Sequence, residues 1–485
     1  MSDRPFSPEE RRRDDIVGDY VVAQDVGPST LSWSGETRAT LSLAWPLVFT
    51  QLAQFSLNIT DVIMMGWLGR DYLAAGSLAT ALFHPLLLFG IGSLTAVAPM
   101  AAQAIGANEP RSVRRTARQG IWVAFLLALF LMAIVFQAET IFIMTGQLPS
   151  LSALSQSYLD YAAFSLFPAL GFIALRSLTS VHGETKIVLM VTILSFFVNF
   201  AGNYVLMFGH FGFPRLELAG AGISTSIVNL FVFIFMIVYV GRRHTYAAYD
   251  LFARFWRPDW HRFRDILRIG VPIGFMVMVE VALFSAATML MGWLGTDELA
   301  AHTVAMQCAA LAFMVPMGLG QATTIRIGLA FGRGAWEGIR RAGWVSIGLG
   351  VGFMGFTCML FLTIPHVLIE LFLDPSDPIN AMPITLAVSY LAFAGLFQLV
   401  DGLQAVASGA LRGLGDTRGP MLIAVVGYWL CGMPTSYILG FVLGWRGSGI
   451  WIGLAIGLAV TAFCLAYRFW NRERLGLLKP IVAEA

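Results

Sequence analysis

The sequence predicts an all-α, polytopic membrane protein: twelve transmembrane helices in two six-helix parallel repeats, an N-lobe and a C-lobe, around a central cleft. Three observations predict it. Of the 485 residues, 57% are hydrophobic and only 12% charged, against about 25% charged in an ordinary soluble domain. Apolar runs of about twenty residues, the length that crosses a bilayer, recur along most of the chain. Finally, the stretch AWPLVFTQLAQFSLNITDVIMMGWLGRDYLAAG at 44–76 returns at 270–302 as GVPIGFMVMVEVALFSAATMLMGWLGTDELAAH, without a gap. Pro46 falls on Pro272, Phe49 on Phe275, Leu57 on Leu283, MGWLG on MGWLG and Asp71 on Asp297. The same register lays Gly92 on Gly318, Gly106 on Gly332 and Arg114-Arg115 on Arg340-Arg341.

In chain order, residues 1–38 are polar, with Arg11-Arg12-Arg13 followed by Asp14-Asp15 and no short apolar core before a cleavage site. They read as a cytoplasmic tail without a signal peptide. Residues 39–241 form the N-lobe, with spans at 40–65, 73–98, 118–138, 156–178, 187–209 and 219–241. Residues 242–264 are the interlobe linker. The C-lobe, 265–470, holds spans at 265–290, 299–325, 343–365, 384–408, 419–441 and 448–469, and 471–485 is the C-terminal tail.

Basic residues set the orientation. Of the 31 Lys and Arg, all except Arg70, Arg215 and Arg446 fall on one side of this arrangement. That side is the cytoplasm, and both termini lie there. An even number of spans per half makes both copies enter the membrane in the same sense, as parallel repeats. The linker, RRHTYAAYDLFARFWRPDWHRFR over 242–264, is basic and aromatic. An amphipathic segment on the inner leaflet is the expected reading, in preference to a calmodulin-like or lipid-recognition target.

The repeat extends further. Span four ends in HGETK and span ten in RGLGDTR, aligning Gly183, Glu184, Thr185 and Lys186 with Gly415, Asp416, Thr417 and Arg418. Each reads as a glycine helix stop followed by an acidic helix start. Span six opens with AGAGI and span twelve with RGSGI. These small residues permit close helix packing and lack the context of a nucleotide-binding loop.

An ionised group at mid-span costs about 2.5–3.5 kcal/mol on insertion scales, so a buried acid is a functional candidate. Three qualify: Asp61 late in span one, Glu280 mid-span in seven and Asp401 in span ten. Asn199 and Asn203 in span five are spaced i, i+4 and share a face. No basic residue is expected at the depth of Glu280 or Asp401, because Arg176 and Arg326 sit near cytoplasmic ends and snorkel. Acids so placed take up a proton or bind a metal cation. A purely structural role, hydrogen bonding to a neighbouring helix, serves for one such acid better than for three. Asp160 and Glu139 are expected to face water, and His84 and His302 to serve packing or helix ends. Cys308, Cys358, Cys431 and Cys464 lie far apart within spans and read as small core residues. No catalytic constellation, metal-ligand set or phosphate loop appears, so no enzyme and no cofactor are expected, and no nucleic-acid partner.

Taken together, these features resemble the multidrug and toxic compound extrusion (MATE) family, in its bacterial NorM-type branch. They are the two repeats, Pro46 and Pro272, Asp61, Glu280, the N-x-x-x-N of Asn199 and Asn203 followed by YVLMFGHFGFP, and the AGAGIST opening of span six. The likeness covers residues 40–470. It implies a secondary active antiporter in the bacterial cytoplasmic (inner) membrane, expelling organic, often cationic, amphiphilic drugs in exchange for Na+ or H+. It places the amino-lobe site on Asp61, Asn199 and Asn203, and a carboxyl-lobe cation site, a possible Na+ site, on Glu280 and Asp401. The three acids also serve as substrate-binding groups. Where that branch can carry a tyrosine one turn before Asp401, this chain has Phe397. A monomer is the expected state. The alternative is a flippase for a lipid-linked precursor, whose cavity would call for basic residues where this chain offers acids.

Overall fold

The computed structural model describes residues 31–247, 249–251, 256 and 259–478. Twelve helices long and apolar enough to cross a membrane are present among them: α1 Trp33–Leu68, α2 Arg70–Gly106, α3 Pro110–Val135, α4 Pro149–Val181, α5 Thr185–Phe208, α6 Glu217–Arg242, α7 Trp260–Leu294, α8 Thr296–Gly332, α9 Trp336–Thr363, α10 Pro378–Gly413, α11 Arg418–Val442 and α12 Arg446–Trp470. Each matches an expected span, and each begins earlier than its apolar stretch does. The reason is that polar turns continue a helix beyond the hydrocarbon. The 36 residues of α1 reach about 54 Å against a core of about 30 Å. Trp33 to Arg38, expected in the tail, are therefore helical, whereas the basic run Arg11 to Arg13 lies outside the described residues.

The repeat is visible in the turns. Gly69 and Gly295, which end α1 and α7, have φ of 131° and 145°, a region glycine enters without steric cost. Asn108 (58°) and Gly334 (66°) match in the same way, as do Gly183 and Gly415, both at 79°. Just beyond Gly69, the Tyr72 hydroxyl donates to Glu217. The equivalent position in the second copy, Glu298, receives Arg446. Glu217 and Arg446 share left-handed backbone, at 53° and 51°.

Two packed units result, and neither is a continuous stretch of chain. One comprises Ala53–Gly274 with Gly328–Ala335; the other comprises Ser32–Leu52, Phe275–Ile327 and the chain from Trp336 onward. The units thus differ from the sequence halves 39–241 and 265–470, because α1 and α7 each divide between them. The first unit is centred on α4, whose residues Leu166 to Val181 are almost all buried. The second is centred on α10 and α12, with Tyr390, Phe397, Trp451, Leu454 and Phe469 at 2% exposure or less.

In the second unit, the start of α1 is held by Glu36. Arg326 donates to it twice, Nε to Oε1 at 2.8 Å and the terminal nitrogen to Oε2 at 2.6 Å. A bidentate carboxylate partner thus satisfies Arg326.

The first described part of the linker packs against the first unit. Tyr246, Tyr249 and Leu251 are buried in a cluster with Ala104, Val113, Ala117, Leu178 and Val240 of the first unit. Tyr246 donates to Glu184 at 2.5 Å, and the Tyr249 hydroxyl lies 3.0 Å from His182 Nε2. Two tyrosines with partnered hydroxyls can leave the lipid interface for a protein surface without stranding a polar group. Tyr246, Tyr249 and Leu251 thus dock this segment on the protein.

Candidate cation and substrate sites

Each unit carries one polar site. In the first, α1 supplies Asp61 and α5 supplies Asn199 and Asn203. The Asn203 amide donates to Asp61 Oδ1 at 2.6 Å and also reaches Asn199 Oδ1 at 3.4 Å. Both asparagines are buried, Asn203 completely, and the Asn203 carbonyl oxygen has no partner. Asp61 is only half-buried. The carboxylate is thus engaged by the α5 amides, most closely by Asn203, and remains open on its other side. The i, i+4 spacing in α5 does bring both amides to it. Opposite them, Tyr158 of α4 is buried, within electrostatic reach of Asp61 and hydrogen-bonded to Thr225. A tyrosine among Ser155, Gln156, Ser157 and Asp160 gave no signal in the sequence. Its position follows from Gly222 of the AGAGI motif, where any Cβ would run into the Tyr158 carbonyl oxygen, so α6 closes directly onto α4.

In the second unit, α7 supplies Glu280 and α10 supplies Asp401. Glu280 is half-buried. Asp401 is 5% exposed, its Oδ1 has no hydrogen-bond partner, and it lies within electrostatic reach of Glu280. Two acids within electrostatic reach of each other in apolar surroundings cannot both stay bare. Phe397, one turn before Asp401, edges against Phe284 and Trp451 and offers no oxygen.

Arg412, eleven residues beyond Asp401 on α10, lies within electrostatic reach of Glu280. Its side chain runs back along α10, with Nε 3.4 Å from the Ser408 carbonyl oxygen, and so points into the unit instead of out to headgroups. Among the described residues no ion pair joins Arg412 to Glu280. The sequence held a signal of this placement, since positions 401 and 412 share a helix face.

His302 is buried, with Nε2 3.3 Å from the Thr288 hydroxyl and its ring against Trp451 at 5.4 Å, a packing residue as expected. Asp160 is exposed and receives the Gln156 amide at 2.6 Å. No group of three or more His, Cys, Asp or Glu able to hold a metal exists among the described residues. The two-carboxylate arrangement suits a proton or a monovalent cation better than a chelated divalent metal.

The MatE family model matches residues 46–205 and 272–438. A probable multidrug resistance protein NorM of Mesorhizobium japonicum is 44% identical over 445 residues, covering 91% of this chain and 95% of the relative. A protein of the same description from Synechocystis is 37% identical over 434 residues, 90% of this chain and 94% of the relative. The crystal structure of the eukaryotic MATE transporter AtDTX14 superposes with a TM-score of 0.81 at 20% identity, over 92% of this chain and 99% of that one. An outward-facing multidrug resistance MATE family transporter of the MOP superfamily gives 0.81 at 20% identity, over 92% and 97%. At that identity the two structures speak for the fold.

Proposed function

The chain belongs to the MatE family, in its NorM-type branch, and from that premise we propose that it is a secondary active multidrug efflux transporter. It exports organic, often cationic, amphiphilic compounds in exchange for Na+ or H+ through alternating access. One observation carries the reading: Asp401 is buried with an unpartnered carboxylate oxygen beside a second acid, Glu280. Leaving a buried charged group unsatisfied costs several kcal/mol, so the pair requires a mobile positive charge.

The coupling ion supplies that charge in one state, and the cationic drug competes for the same carboxylates or for the conformation they select. Transport requires that ion and drug prefer different states, because a ligand with equal affinity for both shifts nothing. The inward ion contributes its own gradient plus about 2.3 kcal/mol per charge per 100 mV of membrane potential. Asp61, held by Asn203 and open on its other side, forms a second polar site of the same kind. The protein is a multi-pass membrane protein. In this reading it lies in the bacterial cytoplasmic membrane as a monomer, both termini inside.

The test is uphill efflux of a fluorescent organic cation from proteoliposomes, first under an imposed Na+ gradient and then under a proton gradient alone. Glu280→Gln and Asp401→Asn should abolish gradient-driven efflux while leaving the folded protein intact. Wild-type rates from both variants would overturn the assignment of the carboxylates.

A further inference from the structure

Near Glu280 and Asp401 lies a third oxygen that the sequence did not single out. Tyr428 of α11 is completely buried, and its hydroxyl has no hydrogen-bond partner. Its depth is fixed by its neighbour: the Trp429 indole N–H donates to the carbonyl oxygen of Val279 at 3.2 Å, the residue immediately before Glu280. Tyr428 is within electrostatic reach of both Glu280 and Asp401.

The backbone that presents it is unusual. Val426–Gly432 is π-helical, a wider turn than the α-helix on either side. Such insertions are rare and concentrate where a side chain must be re-aimed for function. A second π-helical turn follows at Ile438–Val442.

A phenylalanine at 428 would fill the same volume with no orphaned oxygen. A buried hydroxyl without a partner is destabilising, so the hydroxyl has to be offset by something that engages it. The available partner is the charge that occupies the carboxylate pair. Arg412 acts on Glu280, and Glu280 is the charged group that acts on Asp401. Asp401 is thus the less compensated of the two acids, and the neutral, unpartnered Tyr428 oxygen lies within electrostatic reach of both.

We propose that the Tyr428 hydroxyl is a third oxygen ligand of a sodium ion held by Asp401 and Glu280, delivered by the π-helical turn of α11. The proposal rests on the reading of those two acids as a cation site. It supplies from α11 the phenol that Phe397 does not supply from α10.

Equilibrium binding of radioactive Na+ to the purified full-length protein tests it, with wild type, Tyr428→Phe, Glu280→Gln and Asp401→Asn compared at alkaline pH. Tyr428→Phe should raise the Na+ dissociation constant by about tenfold or more, the worth of one ligand to a charged centre. In sodium-free choline buffer its thermal midpoint should equal or exceed that of wild type, because an unpartnered buried group has been removed. Wild-type Na+ affinity in Tyr428→Phe would overturn the proposal while leaving the transporter reading standing. So would a wild-type protein that binds no Na+ although Glu280→Gln and Asp401→Asn stop efflux, for the ion would then be the proton. Undiminished efflux in both acid variants would instead remove the underlying site. Should Tyr428→Phe fail to fold, a fluorotyrosine at position 428 in otherwise unaltered protein takes its place. Its fluorine resonance must move on adding Na+, and an unmoved resonance refutes the ligand role.

Discussion

Glu36 and Arg326 meet as a bidentate ion pair 290 residues apart in sequence, with the Glu36 side chain 4% exposed and that of Arg326 19%. Arg341 reinforces the junction, its guanidinium 5.9 Å from the Trp33 ring centre. Removing one partner of such a pair strands the other charge. Glu36→Gln or Arg326→Gln should therefore lower stability by about 3–5 kcal/mol, whereas replacing both with Met should cost far less. Thermal unfolding of the four proteins in detergent checks this, and equal losses in the single and double variants would contradict it.

Arg412 offsets part of the Glu280 charge from within the same unit. Arg412→Gln should strengthen cation binding at the carboxylates, lowering the half-saturating concentration of the coupling ion by about two- to tenfold. This is the range expected for one charge at several ångströms in a partly hydrated interior. Initial efflux rates against external ion concentration provide the measurement, with release of the ion, and so maximal rate, slowed in the variant.

Asn203 is the closest donor to Asp61, at 2.6 Å. Asn203→Ala should cost about 1.5–3 kcal/mol of local stabilisation, the scale of a hydrogen bond to a charged acceptor, and should reduce efflux more than Asn199→Ala does. Both variants are compared in the same transport assay. Asn203→Asp, which replaces the amide donor with a second acid, should make efflux more pH-sensitive.

His182, just beyond the end of α4, anchors the docked linker through Tyr249. Burial holds its imidazole below the ordinary value of 6.5, and the Leu178 carbonyl and Glu184 only partly oppose this. The sign follows from linkage. Docking keeps its full stability above about pH 6.5, and loses it as pH falls through the depressed value and the ring must charge. Hydrogen exchange of Tyr246 and its neighbours, corrected for intrinsic rates, should accelerate between pH 7.5 and 5.5, and His182→Gln should flatten that response.

Much of this was legible in the chain. The apolar spans, the repeat and the pairing of Asn199 with Asn203 each follow from spacing alone, and the i, i+4 amides do converge on Asp61. What escaped has a common physical origin. In the apolar run of α11, hydropathy carries no phase, so Tyr428 did not stand out; Tyr158 sits among Ser155, Gln156, Ser157 and Asp160, where one more polar group draws no attention. Nor does composition register a π-helical turn, which inserts a residue without changing the apolar run. The partners of Arg412 and Arg326 were not legible either: a long side chain can run toward the interior or toward headgroups from the same Cα, and only its partners decide. The same holds for the linker tyrosines, whose partners Glu184 and His182 lie 62 and 67 residues earlier in the chain.

Because α1 and α7 each contribute to both units, severing the chain within the linker would not release two self-sufficient pieces. The amino-terminal fragment would lack the opening turns of α7 that complete its unit, and the carboxyl-terminal fragment would lack Trp33 and Glu36. Each would have to borrow a strut from the other before either could close its core. The two repeats are thus mutually dependent, and a mutation in one half's first helix is felt as a defect in the other half's assembly.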